Sequence, residues 1–204
     1  ITGGSGTTSG TSKFGGGVYN KGRVSIKNCL ISLNSAPTGG GIYNSGTATI
    51  TGSTISKNSA SGSGGGVFNS GKISVSASTI SENVAGYGGG IFNTGTAAIY
   101  SSSVNGNTAP YGGGIANGGS LVIGGVSLIM NNRATMGTGG GIYSWSGVTL
   151  DGQSIAIKYN KAHMPYPLPS GAPWNQQYGV FMYAVPTLKN GFDPAKQVTY
   201  NTYL

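Results

Sequence analysis

Acidic residues are nearly missing from this chain: Glu82, Asp151 and Asp193 are the only three in 204 residues. That scarcity bears on catalysis before any fold is assigned. A glycosidase works with two carboxyl groups roughly 5–9.5 Å apart. A calcium site gathers several oxygen ligands, carboxylates chief among them. Histidine is limited to His163 and cysteine to Cys29. An internal disulfide framework and a thiolate metal cluster are thereby excluded, and a Ser–His pair has a single candidate. No stretch approaches the roughly 18 apolar residues of a membrane-spanning helix. No apolar pattern of helical period runs through 15–160. The chain does not open on methionine, as expected of a processed form or of a fragment.

What is abundant is glycine, 40 residues of the 204, against a usual level of roughly 7%. It does not recur at every third position, which excludes a collagen helix. The 37% of hydrophobic residues, with β-branched side chains at regular offsets, argues against disorder. Eleven basic residues give a net charge of +8. They are thinly spread, Lys21, Arg23 and Lys27 being the one cluster, and read as a polar surface short of acids. No specific nucleic-acid partner is expected.

The glycines are ordered by a repeat. A hexapeptide G-G-G-[IV]-aromatic-N begins at residues 15, 39, 64, 88, 112 and 139, with Ala116 replacing the aromatic residue in the fifth copy and Ser144 the Asn in the sixth. A period near two dozen residues is the mark of a solenoid. Aligned copies form apolar columns: Val18, Ile42, Val67, Ile91, Ile115 and Ile142; Val24, Ala48, Ile73, Ala97, Leu121 and Val148; Ile26, Ile50, Val75, Ile99, Ile123 and Leu150; and Ile31, Ile55, Ile80, Val104, Leu128 and Ile155. Segments such as KISVS alternate with period two and predict short strands with one face inward. Each coil then stacks on the next at roughly 4.8 Å, six coils making a rod of roughly 29 Å. Glycine triplets fit a tight corner where coils approach closely. Six copies of one loop without a following G-K-[ST] are corners and not phosphate cradles. The predicted fold is an all-β, right-handed parallel β-helix over 15–160. A Gly/Ser/Thr-rich arm precedes it (1–14) and a non-repeat, proline- and aromatic-rich extension follows it (161–204).

The stretches ISKNSASGSGGGVFN and ISENVAGYGGGIFN resemble the repeats of right-handed parallel β-helix proteins, most closely those of the polymorphic-membrane-protein type, which pair GGA-[ILV] with Phe-x-x-Asn. Here the pair is GGG-[IV] with [IV]-x-x-Asn. The resemblance spans about 15–160 and implies a secreted or cell-surface location and a role in adhesion. The outer-membrane β-barrel of that family has no counterpart in this sequence.

Within the predicted coil, Asn20, Asn44, Asn69, Asn93 and Asn117 form an inward structural ladder. A second column holds Asn34, Asn58, Asn83 and Asn107 and continues at Asn131 or Asn132; stacked Asn side chains hydrogen-bond along such an axis. Cys29 aligns with Ser53, Ser78, Ser102, Val126 and Gln153 and reads as a small core residue. Between each inward [IV] and Asn lies an outward position: Tyr19, Tyr43, Phe68, Phe92, Ala116 and Tyr143. Such an aromatic stripe marks self-stacking, a protein contact or a ligand platform. In the tail, YGVFMYAV and QVTYNTYL read as strands, with Trp174, Tyr178, Phe181 and Tyr183 as contact residues toward the last coil, the stripe or a neighbouring subunit. An axial rise of roughly 4.8 Å per coil sets Glu82 and Asp151 roughly 14 Å or more apart, too far for a glycosidase pair. The expectation is therefore a non-enzymatic, cofactor-free extracellular structural protein that assembles with itself through coil ends, terminal segments or the stripe. The alternative is a monomeric adhesin for surface polysaccharide. A degenerate polysaccharide lyase or hydrolase fits less well, as does an ice-binding protein, whose flat Thr array (Thr47, Thr49, Thr51) is broken by Arg23, Lys27 and Lys72.

Overall fold

In a computed structural model, which describes residues 1–4, 14–163, 180–182, 186–199 and 202–203, each repeat makes one turn around four faces. The second coil shows the plan. Ile42–Asn44 lies on the first face, Thr47–Thr51 on the second, Thr54–Ser56 on the third and Ser59–Ser63 on the fourth. On the first three faces each strand of this coil pairs in parallel with its equivalents in the coils before and after, Ile42 with Val18 and Val67, Ile50 with Ile26 and Val75. On the fourth, Ser59–Ser63 pairs with Ser35–Thr38 and meets the third coil through the bridges Ser59–Val84 and Ser63–Tyr87. The result is a nearly all-β parallel solenoid, with six coils from the repeat.

The corners follow from backbone chemistry. Gly39 takes φ +68°, a conformation that disfavours a side chain. A Cβ on Gly40 would overlap the Ser59 carbonyl and lie 2.6 Å from the Gly65 oxygen; on Gly41 it would lie 2.6 Å from the Gly66 oxygen. Each triplet thus supplies one left-handed residue and two positions where coils nearly touch. The left-handed corner between the third and fourth faces precedes each [IV]-x-x-Asn asparagine and falls on whatever residue stands there, Lys57 (φ 56°), Glu82 (φ 55°) or Asn131 (φ 56°). In this column the ladder asparagines leave the strained conformation to their neighbour.

The core is a set of stacked aliphatic columns, and three are those expected. The fourth slips. It runs Ile31, Ile55, Ile80, Val104, Ile129 and Ile157, not through Leu128 and Ile155. The fifth coil carries one extra residue at its second corner, the exposed Val126, and the sixth coil carries two extra residues at the same corner, so the column falls one residue later in the fifth coil and two later in the sixth. Leu128 then pairs with Ser103 on the outward face. The serine column is corrected in the same way: Ser102 N donates to Ser127 Oγ at 3.4 Å, and Ile155 takes that place in the sixth coil, where Ala156 N donates to the Ser127 carbonyl. Cys29 heads this column but is exposed. Ser53 is buried between coils on either side, whereas nothing among the described residues covers Cys29 from above.

The ends are formed by the chain's own terminal segments. Thr2 bridges Ser32, and the Ile1 ammonium donates to the Leu30 carbonyl at 2.7 Å. At the other end, Val180–Met182, Thr187–Lys189, Val198–Thr199 and Thr202–Tyr203 each add to one of the four sheets, in register with the sixth coil. Lys161–Ala162 still completes the sixth coil, and the described part of the extension from Val180 onward is therefore a seventh layer. A single helical turn, Pro194–Gln197, is capped by the Asp193 carboxylate. It tucks Phe192 (6% exposed) against the last aliphatic residues, while buried Gln197 donates to the Ile155 carbonyl at 2.8 Å.

Candidate functional site

Most polar side chains inside the solenoid are committed to ladders. Along the first, Asn20 Nδ2 donates to Asn44 Oδ1 at 2.6 Å, and Asn44, Asn69 and Asn93 repeat this at 2.7 Å. Asn117 ends the run on Ser144 Oγ at 2.9 Å. In the second, Asn34, Asn58, Asn83, Asn107, Asn132 and Asn160 follow one another at 3.0 Å per step. Each Oδ1 also accepts a backbone N–H from the coil before, as Asn83 does from Asn58 N at 2.9 Å. Among the described residues no buried side-chain nitrogen or oxygen lacks a partner.

The carboxylates sit on separate corners. Glu82 faces Lys57 at 3.8 Å on the exposed third corner, Asp151 accepts from Asn190, and Asp193 caps the tail helix beside Lys196 at 3.6 Å. No three of His, Cys, Asp and Glu come together among the described residues.

The outward stripe is real, and its rings lean on each other. Tyr43 and Phe68 stack at 5.0 Å with planes 3° apart, Phe68 and Phe92 at 5.4 Å and 12°, and Tyr19 tilts onto Tyr43 at 5.2 Å. Stacked so, the rings cover each other's faces and turn their edges outward. At the head of the column, Lys21 Nζ lies 5.4 Å from the Tyr19 ring centre, and hydrogen bonding to Tyr19 raises the Lys21 pKa above its ordinary value.

A second aromatic column lies across the glycine corner. Phe14, Ser63, Tyr87 and Tyr111 each immediately precede a triplet. With no side chains on the triplet, the two columns meet: Phe14 packs on Tyr43 at 4.6 Å and Tyr111 on Tyr143 at 5.8 Å, while Tyr87 stacks on Tyr111 at 5.5 Å.

The stripe breaks at the fifth coil, where Ala116 is fully buried. Trp145, in the turn after Ser144, leans back over the gap. Its ring lies 6.0 Å from Phe92 and 5.5 Å from Tyr143, at 49° and 52° to them. Gly118 makes room: a Cβ there would lie 2.5 Å from the indole. A cleft of about 440 Å³ opens at this break, lined by Ser63, Tyr87, Phe92, Tyr143 and Trp145. None of its lining residues is charged.

Of the stripe residues expected from the sequence, Tyr19, Tyr43, Phe68, Phe92 and Tyr143 share this face, and Phe92 and Tyr143 line the cleft. Trp145, Tyr87 and Ser63 were not among them. Their trace in the sequence is a compensation: the fifth coil loses side chains at Ala116 and Gly118 just where the sixth gains a tryptophan in the same turn. Phe181 pairs through its backbone with Tyr143; Trp174, Tyr178 and Tyr183 lie outside the described residues. Compared with protein-family models, curated proteins and solved structures, the chain matches none of them.

Proposed function

We propose that this chain is a non-enzymatic, extracellular or cell-surface rod that adheres to polysaccharide through its aromatic face. The observation that carries this reading is the aromatic surface running from Phe14 through Tyr43, Phe68 and Phe92 to Trp145 and Tyr143. Soluble monomers seldom leave such a contiguous patch without a partner. The resemblance to adhesin-type repeats points the same way, and the dispersed carboxylates agree with a binding role. The test is affinity electrophoresis of the 204-residue chain through gels carrying neutral or acidic polysaccharides. Retention by at least one polysaccharide, reduced in a Tyr43→Ser, Phe68→Ser double variant, is expected. Migration unaffected by every polysaccharide would overturn the proposal.

Self-assembly is the second reading, favoured by exposed Tyr19 and Trp145 on this same face. In it two rods associate laterally through the stripe, because the described tail segments already pair with their own sixth coil. Sedimentation coefficients that rise with protein concentration in the native chain, and not in the double variant, would select this reading.

A further inference from the structure

The sequence clusters Lys21, Arg23 and Lys27, and the coil regroups them. Lys27 ends the strand that Arg23 begins, roughly 13 Å away across the second face. Lys72 takes its place. It stands in one column with Arg23, through Thr47 of the coil between them, roughly 10 Å away along the axis. This column borders the aromatic stripe. A turn of two residues separates the stripe's strand from the second face, and beside Tyr43 and Phe68 it holds only Ser45 with Gly46 and Ser70 with Gly71. Lys21 stands in the first coil's turn, its ammonium 5.4 Å from the Tyr19 ring centre. Lys21, Arg23 and Lys72 are exposed, and among the described residues none of them pairs with a carboxylate. Glu82 faces Lys57 on the third corner. Asp151 lies three coils beyond Lys72, roughly 14 Å along the axis and past the screening length of about 8 Å. We propose that the polysaccharide held by the aromatic face is acidic, its carboxylate or sulfate groups bound along the border of the stripe by Lys21, Arg23 and Lys72. This inference rests on the adhesive reading above.

Charge and ring geometry select this partner together. Six of the eleven basic residues and none of the acids stand in the first 81 residues, so this end of the rod carries an uncompensated positive field. Tyr43 and Phe68 spend their ring faces on each other and on Phe92, and Tyr19 leans onto Tyr43. What they turn outward is the ring edge, the positive side of the aromatic quadrupole. The edges therefore reinforce the cations and offer no flat platform to the apolar face of a neutral sugar. The cations are spread along the axis and do not converge. That spacing suits a polymer charged at intervals, whereas a compact anion such as phosphate is held by donors aimed at one point. Single-stranded nucleic acid stacks its bases on open aromatic faces, and on this stripe those faces are taken.

The test is affinity electrophoresis of the 204-residue chain at physiological salt, through gels carrying polygalacturonate, chondroitin sulfate, hydroxyethyl cellulose or galactomannan. Retention by an acidic gel and not by the two neutral ones is expected, and the two acidic gels tell carboxylate from sulfate. The triple variant Lys21→Gln, Arg23→Gln, Lys72→Gln should weaken that retention roughly tenfold or more. A control triple, Arg133→Gln, Lys158→Gln, Lys161→Gln, removes the same charge from the third and fourth faces and should cost far less. Neither set touches the core, and circular dichroism checks that the solenoid is intact. Equal losses in the two triples would reduce the attraction to net charge and overturn the site. Retention on a neutral gel that survives the first triple and is lost in the Tyr43→Ser, Phe68→Ser variant overturns the acidic assignment and leaves the adhesive reading standing. Migration unaffected by every polysaccharide removes both. Duplex DNA that displaces the chain from the acidic gel as well as free polygalacturonate does would make the partner a nucleic acid and likewise overturn the proposal.

Discussion

Replacing Asn83 by Ala tests whether the second asparagine ladder holds the coils together. Asn83 is fully buried and its amide makes four bonds: Oδ1 accepts from Asn58 N (2.9 Å) and Asn58 Nδ2 (3.0 Å), and Nδ2 donates to Asn107 Oδ1 and Ile55 O (both 3.0 Å). Truncation does not orphan every partner. Asn107 Oδ1 keeps the backbone N–H of residue 83, and Asn58 Nδ2 keeps Ile31 O through its other hydrogen. What is stranded is the Asn58 backbone N–H, one Asn58 amide hydrogen and the Ile55 carbonyl. At about 1–3 kcal/mol for each buried polar group left unsatisfied, and with some relaxation, the loss is about 3–6 kcal/mol. Asn93→Ser in the first ladder is the control. Ser144 already occupies that column in the sixth coil, where its Oγ accepts from Asn117 Nδ2 at 2.9 Å, so serine still answers Asn69 and the loss is about 1–2 kcal/mol. Urea unfolding followed by circular dichroism measures both, with the slope m required to stay constant. Equal shifts for the two variants, or a loss below about 1 kcal/mol for Asn83→Ala, would refute the assignment of the ladder as the coil-to-coil fastener.

Three further outcomes follow from the same geometry. Gly46→Ala drives a Cβ into the Gly22 carbonyl and to 2.6 Å from the Lys21 carbonyl carbon, whereas Gly22→Ala, the same turn position in the first coil, meets nothing within 4 Å. Thermal unfolding should show a loss of about 1–3 kcal/mol for the first and a change within about 0.5 kcal/mol for the second. Ala77 holds φ 47° at a corner where the preceding coil has Gly52 at φ 58°. Relief of about 1–2 kcal/mol of left-handed strain, less about 0.5–1 kcal/mol of glycine entropy, makes Ala77→Gly stabilising by about 0.5–1 kcal/mol in denaturant titration. Phe192→Ala removes the buried ring that closes the last coil and should cost about 3–5 kcal/mol, with hydrogen exchange accelerated first in Val148–Asp151 and Ala156–Lys158.

Much of the solenoid was legible in the residues. Wherever the repeat kept its length, the apolar columns, the two asparagine columns and the outward stripe could be read by counting. A parallel coil converts a constant sequence interval into vertical stacking, and strand alternation converts odd and even positions into inside and outside. Counting failed where length changed. Val126 adds one residue at a corner of the fifth coil and the sixth coil adds two at the same corner, so Leu128 and Ile155 stood in the expected fourth column where Ile129 and Ile157 belong. Cys29 belongs to a small-residue column yet is exposed, because burial depends on a covering coil and not on the type of side chain.

The cleft marks the same boundary. Ala116 and Gly118 are visible in the sequence as two lost side chains, and Trp145 as a bulky residue in a turn. Their meeting depends on Trp145 bending across a coil that has been emptied for it, which no local pattern encodes. The tail lacks the repeat's motif, and its described segments nevertheless join as a seventh layer, since a sheet edge accepts any strand with free backbone groups in register. The period of the sequence determined the coil and which residues face inward. The stacking of one coil on another decided which side chains are covered, where the aromatic face opens and what closes the end, because those are properties of neighbours more than twenty residues away along the chain.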